Sequence, residues 1–468
     1  MNVIILVSDT YRYDNLGCNG GEWIGTDALD RFAERAVCFD RHYVSSFPTI
    51  PNRTDMFNGR YGFPFHGWQP LDRQSPVMST IFGEAGYQSQ LICDTPHLMS
   101  GEHFCNRGFT GAYWIRGQEG DKPLLKGNLP PRQKVAVDGK TRVDPQMRST
   151  PFGNLATQHC WTNRDWAWEE DRFCAQTART TSRWLEENRG AEPFLLWVDF
   201  FDPHEPWDPP EYLVKLYDKS GYDGPPLIHP NYGPASIFSK KELSNLRAHY
   251  AAEAYLVNKW VGVVLKKIEE LGLFDDSVVL FTTDHGMHLG EHNRTGKSNI
   301  HPEDDRIWPL YQELAHIPLM ISAPGMKGGR RVKELTQPVD LLPTLMGLSG
   351  VEKKGLEMHG HSLVPLMQGK GKGWPRKHAF SSTFLRNGGP TVTDKRWSYI
   401  SYGEKGGKPE LYDLKEDPGQ KRNLIRKRPD VAKRMRKALA DFLAGVGTPE
   451  ENYELIGPVG GPDYEQKL

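Results

Sequence analysis

Two apolar, β-branched runs lie far apart in the chain, and each stops on residues suited to binding a metal. Val3-Ile4-Ile5-Leu6-Val7-Ser8 ends on Asp9, and Ser277-Val278-Val279-Leu280-Phe281-Thr282-Thr283 ends on Asp284-His285-Gly286. Both runs read as buried strands. Open α/β sheets hold their ligands at the carboxyl edge of the strands, so two such endings would meet there. Oxygen and nitrogen donors brought together in this way suit a divalent cation. A metal-dependent hydrolase is therefore the leading expectation.

The rest of the pattern supports an α/β chain. Helical periodicity over 27–37, 78–86, 172–188 and 246–271 alternates with strand-like runs at 89–93, 194–201 and 318–323. This predicts a large, mostly parallel sheet flanked by helices. Beyond about residue 375 the pattern changes to antiparallel strands at 379–384 and 396–402 and a helix at 430–443. The expected division is a catalytic α/β domain at 1–375 and a small α+β subdomain at 376–468. Residues 112–170 are rich in Gly, Pro and Trp and read as an insertion that shapes substrate access. Its Trp114, Trp161, Trp166 and Trp168 are aromatic enough to stack on a sugar or aryl group, or to pack a lid.

Composition narrows the partners. The chain has 468 residues, with 58 basic and 59 acidic side chains and a net charge of −1. No basic tail points to nucleic acid and no long apolar span to a membrane. The six cysteines form no CxxC pair, so neither a disulfide framework nor a zinc ribbon is expected. The apolar start runs straight into Asp9 and is too short for a signal segment, which suggests a cytoplasmic protein, or a periplasmic one if a leader preceded it. Oligomeric state is not legible.

A second motif lies at Pro48-Thr49-Ile50-Pro51-Asn52-Arg53, followed by Asn58-Gly59-Arg60. On its own, Thr49 reads as a helix cap, or as a hydroxyl placed where helix N–H groups favour an anion. The stretch resembles the sulfatase signature, with Thr49 at the nucleophile position and Pro51, Arg53 and Asn58-Gly59-Arg60 matching. The resemblance continues in order through Asp9 with Leu16-Gly17-Cys18, Phe201-Asp202-Pro203-His204-Glu205-Pro206, Thr283-Asp284-His285-Gly286, Gly296-Lys297, Ile317-Pro318-Leu319, Val339 to Leu345, Gly360 to Leu366 and Glu410 to Leu414. It implies a sulfatase fold within the alkaline phosphatase superfamily.

Three departures matter. Sulfatases oxidise a cysteine or serine to formylglycine, and a threonine, with its extra methyl, cannot yield that aldehyde. The family's paired N-terminal aspartates are reduced to Asp9 followed by Thr10. Its Lys-x-His element becomes Asp94-Thr95-Pro96-His97, which keeps only the histidine. The site resembles instead the phosphoryl-transfer members that use a metal-bound threonine.

The resemblance implies one divalent ion on Asp9, Thr49, Asp284 and His285, with Mn, Zn or Mg suiting this set better than Ca. It implies that Arg53, His97, His204 and Lys297 bind the ester and stabilise its charge, with Thr49 as nucleophile and His97 or His204 as proton donor. A second metal on Asp202 with His292 or His301 is conceivable but not favoured. The expected activity is hydrolysis of a phosphate or phosphonate ester, phosphodiesterase-like, on a small-molecule or glycan-linked substrate. The alternatives are a sulfuric ester hydrolase acting on an aryl or carbohydrate sulfate, and a non-catalytic ligand-binding relic.

Overall fold

A computed structural model describes residues 1–453 except 100–102, 120, 122–128, 138, 142–153, 192, 298–307, 386–388 and 403–407. Eight strands build the main sheet: β1 (Asn2–Ser8), β2 (Val37–His42), β3 (Gln88–Cys93), β4 (Gly111–Trp114), β5 (Phe194–Phe200), β7 (Ser277–Thr282), β10 (Leu319–Ser322) and β11 (Arg330–Thr336). A small three-stranded sheet contains β6 (Gly233–Pro234), β8 (His288–Leu289) and β9 (Arg294–Gly296). The main sheet runs in the order β11-β2-β10-β7-β1-β5-β3-β4. Only β10 runs antiparallel to its neighbours. The expected mostly parallel sheet is therefore present, and β1 lies between β5 and β7.

The strands read as unbroken apolar runs because helices cover both faces of the sheet. Along β1, Val3 and Ile5 pack with Met56, Phe57, Ile81, Phe82 and Leu345 on one face. Ile4 and Leu6 pack with Leu29, Phe32, Leu256, Val257 and Val261 on the other. The second of these layers is carried by the 31-residue helix Lys240–Glu270. Its start is fixed by reciprocal capping: Ser239 Oγ accepts from Glu242 N, and Ser239 N donates to Glu242 Oε2.

In the main sheet, β2, β4 and β11 escaped the periodicity reading. β2 follows a helix with only Ala36 between them, and β11 alternates charged and apolar residues beside it. A third point is a correction. Residues 111–114 are not the start of a covering insertion but the edge strand β4, paired in parallel with β3. Past it, Trp161 is 3 % exposed, and Trp166 meets Phe173 edge-on at 4.7 Å. Both rings are packing groups rather than a stacking platform.

A separate antiparallel sheet of β12 (Ala379–Ser381), β13 (Thr391–Thr393), β14 (Trp397–Ile400) and β15 (Glu410–Asp413) follows. Helix Pro429–Gly445 packs on it through Val431, Met435, Leu439 and Leu443, against Val392, Tyr399 and Leu411. Among the described residues, no helix is long and apolar enough to cross a membrane.

Candidate metal and ester-binding site

Because β1 pairs with both β5 and β7, their carboxyl ends lie one strand spacing apart, about 4.8 Å. Asp9, Asp284 and His285 are consequently brought together, with ligand atoms within 4.8 Å of one another and all three buried. His285 Nε2 lies 3.5 Å from Asp284 Oδ2 and 3.8 Å from Asp9 Oδ1. Its Nδ1 lies 2.9 Å from the Gly286 carbonyl, which assigns the ring proton there and leaves the Nε2 lone pair facing the carboxylates. Burial pulls the His285 pKa down to about 4, so the ring is neutral, as a ligand must be.

Asp9 Oδ2 and His285 Nε2 are buried atoms without a hydrogen-bond partner. Burial and the neighbouring Asp284 charge push the Asp9 carboxyl well above its ordinary range. Burial works against Asp284 as well, but His285 and Arg53 hold its carboxyl low. Two facing carboxylates and an imidazole lone pair that no donor meets fit a divalent cation in charge and in donor type.

Thr49 opens helix Thr49–Asn58 and is buried. Arg53, one turn on, ties that helix to the strand ends. Its Nη1 donates to Asp284 Oδ2 at 2.5 Å and to the Thr49 carbonyl at 3.3 Å, and lies 3.2 Å from Asp9 Oδ2. Its Nε and Nη2 donate to both oxygens of Asp199, at 2.9 and 2.7 Å. The sequence assigned Arg53 to the substrate. In the structure its fully buried guanidinium is spent on carboxylates, which makes it a brace between the Thr49 helix and the Asp9–Asp284 pair. The helix N-terminus is also a poorer anion site than its position suggests. Pro51 has no N–H, and Asn52 N is taken by the Pro48 carbonyl.

Lys297 follows β9, is 2 % exposed, and donates to Thr10 Oγ1 at 3.3 Å. Its Nζ lies 3.9 Å from both Asp9 Oδ1 and Glu205 Oε2. His204 stacks on Phe201 with ring centroids 3.9 Å apart. Burial, then Lys297, lower its pKa well below the usual value, and its Nδ1 lies 2.6 Å from the Glu205 carbonyl. His97 Nε2 lies 3.6 Å from Glu119 Oε2, and its ring is 5.7 Å from that of Phe201. His97 and His204 thus flank the same phenylalanine.

The notional second metal site does not form around His292. That ring stacks on Tyr311 at 3.8 Å with Nε2 3.4 Å from Glu313. Asp202 instead accepts from Gln118 Nε2 and Cys174 N. His301 lies outside the described residues.

Several residues at the site were missed. Asp199 accepts from Arg53, from Thr95 Oγ1 at 2.5 Å and from Trp197 Nε1 at 2.9 Å. A carboxylate inside an apolar strand is the signal that could have found it, since such a charge requires a buried partner. Thr10, dismissed as a lost aspartate, adopts φ 62°, a strained value for a β-branched residue. That turn aims its N–H at Asp284 Oδ1 (3.1 Å) and its hydroxyl at Asp9 Oδ1 (2.6 Å). Asn52 shares the helix face of Thr49, and both atoms of its buried amide lack a hydrogen-bond partner. Glu205 is the fourth.

Fold and site together define an ester hydrolase of the sulfatase and alkaline phosphatase type. Residues 1–351 match the sulfatase family model, and residues 304–444 match the model of the N-sulphoglucosamine sulphohydrolase C-terminal region. Arylsulfatase K of Danio rerio is 31 % identical over 477 residues, covering 94 % of this chain and 83 % of its own. An arylsulfatase of Clostridium perfringens is 23 % identical, covering 91 % and 90 %. The phosphonate monoester hydrolase of Agrobacterium radiobacter superposes with a TM-score of 0.74 at 22 % identity, covering 95 % and 96 %. The chain belongs to the sulfatase family.

Proposed function

We propose that this protein hydrolyses phosphate or phosphonate esters of small or glycan-linked molecules, with the Thr49 hydroxyl as nucleophile. The observation that carries this reading is the side chain at position 49. A threonine, which no oxidation converts to an aldehyde, opens the helix that Arg53 braces against Asp9 and Asp284. Asp9, Asp284, His285 and Thr49 are the residues that would hold a divalent cation. Bound there, the cation would polarise the ester and lower the pKa of the hydroxyl.

The chain's own residues do the rest. Asp199 locks the Arg53 guanidinium, which fixes the Thr49 turn relative to the carboxylates. Thr49 Oγ attacks phosphorus in line and the ester C–O–P oxygen departs, leaving a phosphothreonine that water then hydrolyses. Lys297 faces the charge gathering on the non-bridging oxygens. His97, paired with Glu119, gives its proton to the leaving oxygen. His204, with Nδ1 on the Glu205 carbonyl, leaves Nε2 as the nitrogen that accepts the Thr49 proton.

A second reading rests on the identity shared with arylsulfatases. The same hydroxyl would attack a sulfate ester and form a sulfothreonine, which water resolves slowly without the aldehyde hydrate. One assay separates the two readings. Metal-stripped protein is given Mn, Zn, Mg or Ca and offered p-nitrophenyl sulfate, p-nitrophenyl phosphate and bis-p-nitrophenyl phosphate. Metal-dependent diester turnover that Thr49→Ala abolishes is expected. Turnover of the sulfate alone would make this a sulfatase, and turnover untouched by Thr49→Ala would remove Thr49 from the chemistry.

A further inference from the structure

Among the described residues, Arg53, His97 and Lys297 each face a carboxylate. Arg53 sits on Asp199, His97 lies 3.6 Å from Glu119, and Lys297 lies 3.9 Å from Glu205. A divalent cation at Asp9 and Asp284 would itself meet two negative charges. Among the described residues, an arriving anion therefore finds donors and dipoles but little surplus positive charge.

Glu205 stands out among these carboxylates. It is fully buried, and one oxygen accepts the Tyr232 hydroxyl. The other, Oε2, has no hydrogen-bond partner, 3.6 Å from His204 Nδ1 and 3.9 Å from Lys297 Nζ. The fold holds it there through Tyr232. Gly296, at φ +95°, lets that ring pack where a Cβ would come within 2.3 Å of it. A buried carboxylate with an unbonded oxygen destabilises the fold. Beside the lysine that meets the ester's oxygens, it also has a selective consequence.

We infer that Glu205 is a specificity-determining residue. It restricts the site to singly charged tetrahedral esters, namely phosphodiesters, phosphonate monoesters and sulfate monoesters, and repels the dianions of phosphate monoesters. The first negative charge of the ligand meets the Lys297 ammonium, and would meet the metal, at close range, which leaves the Glu205 charge without its counter-ion. A second ligand charge faces the buried Glu205 carboxylate, where like charges repel strongly. This inference rests on the ester-hydrolase reading of the site, although its test reads binding rather than turnover.

The full-length, metal-loaded protein is titrated calorimetrically with benzenesulfonate and phenylphosphonate at alkaline pH. The two share a shape, but one carries a single charge and the other two. Wild type is expected to bind the sulfonate about tenfold tighter or more. Glu205→Gln keeps an acceptor for Tyr232, removes the charge, and should shrink that preference by about tenfold. Tyr232→Phe removes the hydrogen bond but not the charge, and should keep the wild-type ratio. Equal binding of the two anions by wild type, or no binding of either, overturns the inference whatever the variants do. So does an equal change of ratio in both variants, which would mark a structural role. Should Thr49→Ala keep full turnover while the ratios behave as expected, the nucleophile assignment fails and charge selection stands.

Discussion

Among the described residues there are two buried groups of potential metal ligands: Asp9, Asp284 and His285 in one, Cys174, Asp202 and Glu253 in the other. Both bring their ligand atoms within 4.8 Å of one another, and both are fully enclosed. They differ in how their charge is met. The first is bordered by Arg53 and Lys297, holds one carboxylate low, and turns a neutral imidazole lone pair inward. In the second, Asp202 is already satisfied by Gln118 and Cys174 N. Burial pushes Asp202 up to about 6 and pushes Glu253 and neighbouring Asp94 well above the carboxylate range. Burial favours the protonated acid there as it does at Asp9, so the imidazole lone pair and the flanking cations are what set the first group apart. Closeness of acids does not by itself make a metal centre; the available lone pairs and the flanking charges decide it.

The sharpest break between the groups is expected from Asp9→Asn and Thr49→Ala. Each should lower kcat by about a thousandfold or more, and Asp9→Asn alone should also lose the bound metal by elemental analysis. Glu253→Gln should leave the metal count unchanged and turnover within about tenfold. Loss of one metal equivalent in Glu253→Gln would show that the second group is a metal site after all. Arg53→Lys comes next. A lysine cannot hold both Asp199 oxygens while reaching Asp284, so kcat should fall about a hundredfold, with metal content retained.

The proton account of the second group has a definite pH signature. The folded-state pKa of Asp202 lies above its unfolded value of about 3.9, so its stabilising contribution is complete below that value and is lost as pH rises through about 6. The Tm advantage of wild type over Asp202→Asn should therefore be larger at pH 4 than at pH 8. An advantage that grows with pH would mean the group is ionised and held by a cation. The smallest effect is expected for Cys174→Ser, with unchanged metal content and a loss of about 1–2 kcal/mol in a denaturant titration, from burying a hydroxyl where a thiol packed.

Much of this was legible beforehand, and the reasons are local. Apolar runs of strand length identified β1, β5 and β7 within a residue or so, because strands covered on both faces leave no polar alternation. The polar residues at their ends had to lie at the carboxyl edge, which delivered Asp9, Asp284 and His285. Strand β2 was hidden because it begins one residue after a helix, and β4 because it lies in a stretch of weak periodicity. Arg53 was found, but its partners were not. The sequence gives no hint that Asp199, 146 residues away, accepts from both its Nε and its Nη2.

The sequence alone settled the fold class, the meeting of two strand ends, and the presence of a threonine at position 49. These are properties of a single side chain, or of periodicity over a handful of neighbours. Only the tertiary structure decided that Arg53 meets Asp199 and Asp284, that Asp202 turns toward Cys174 and not His292, and that Glu205 shadows Lys297. Each depends on which charges are buried together. Electrostatic energy in a dry interior is set by distance through space, and separation along the chain does not encode that distance.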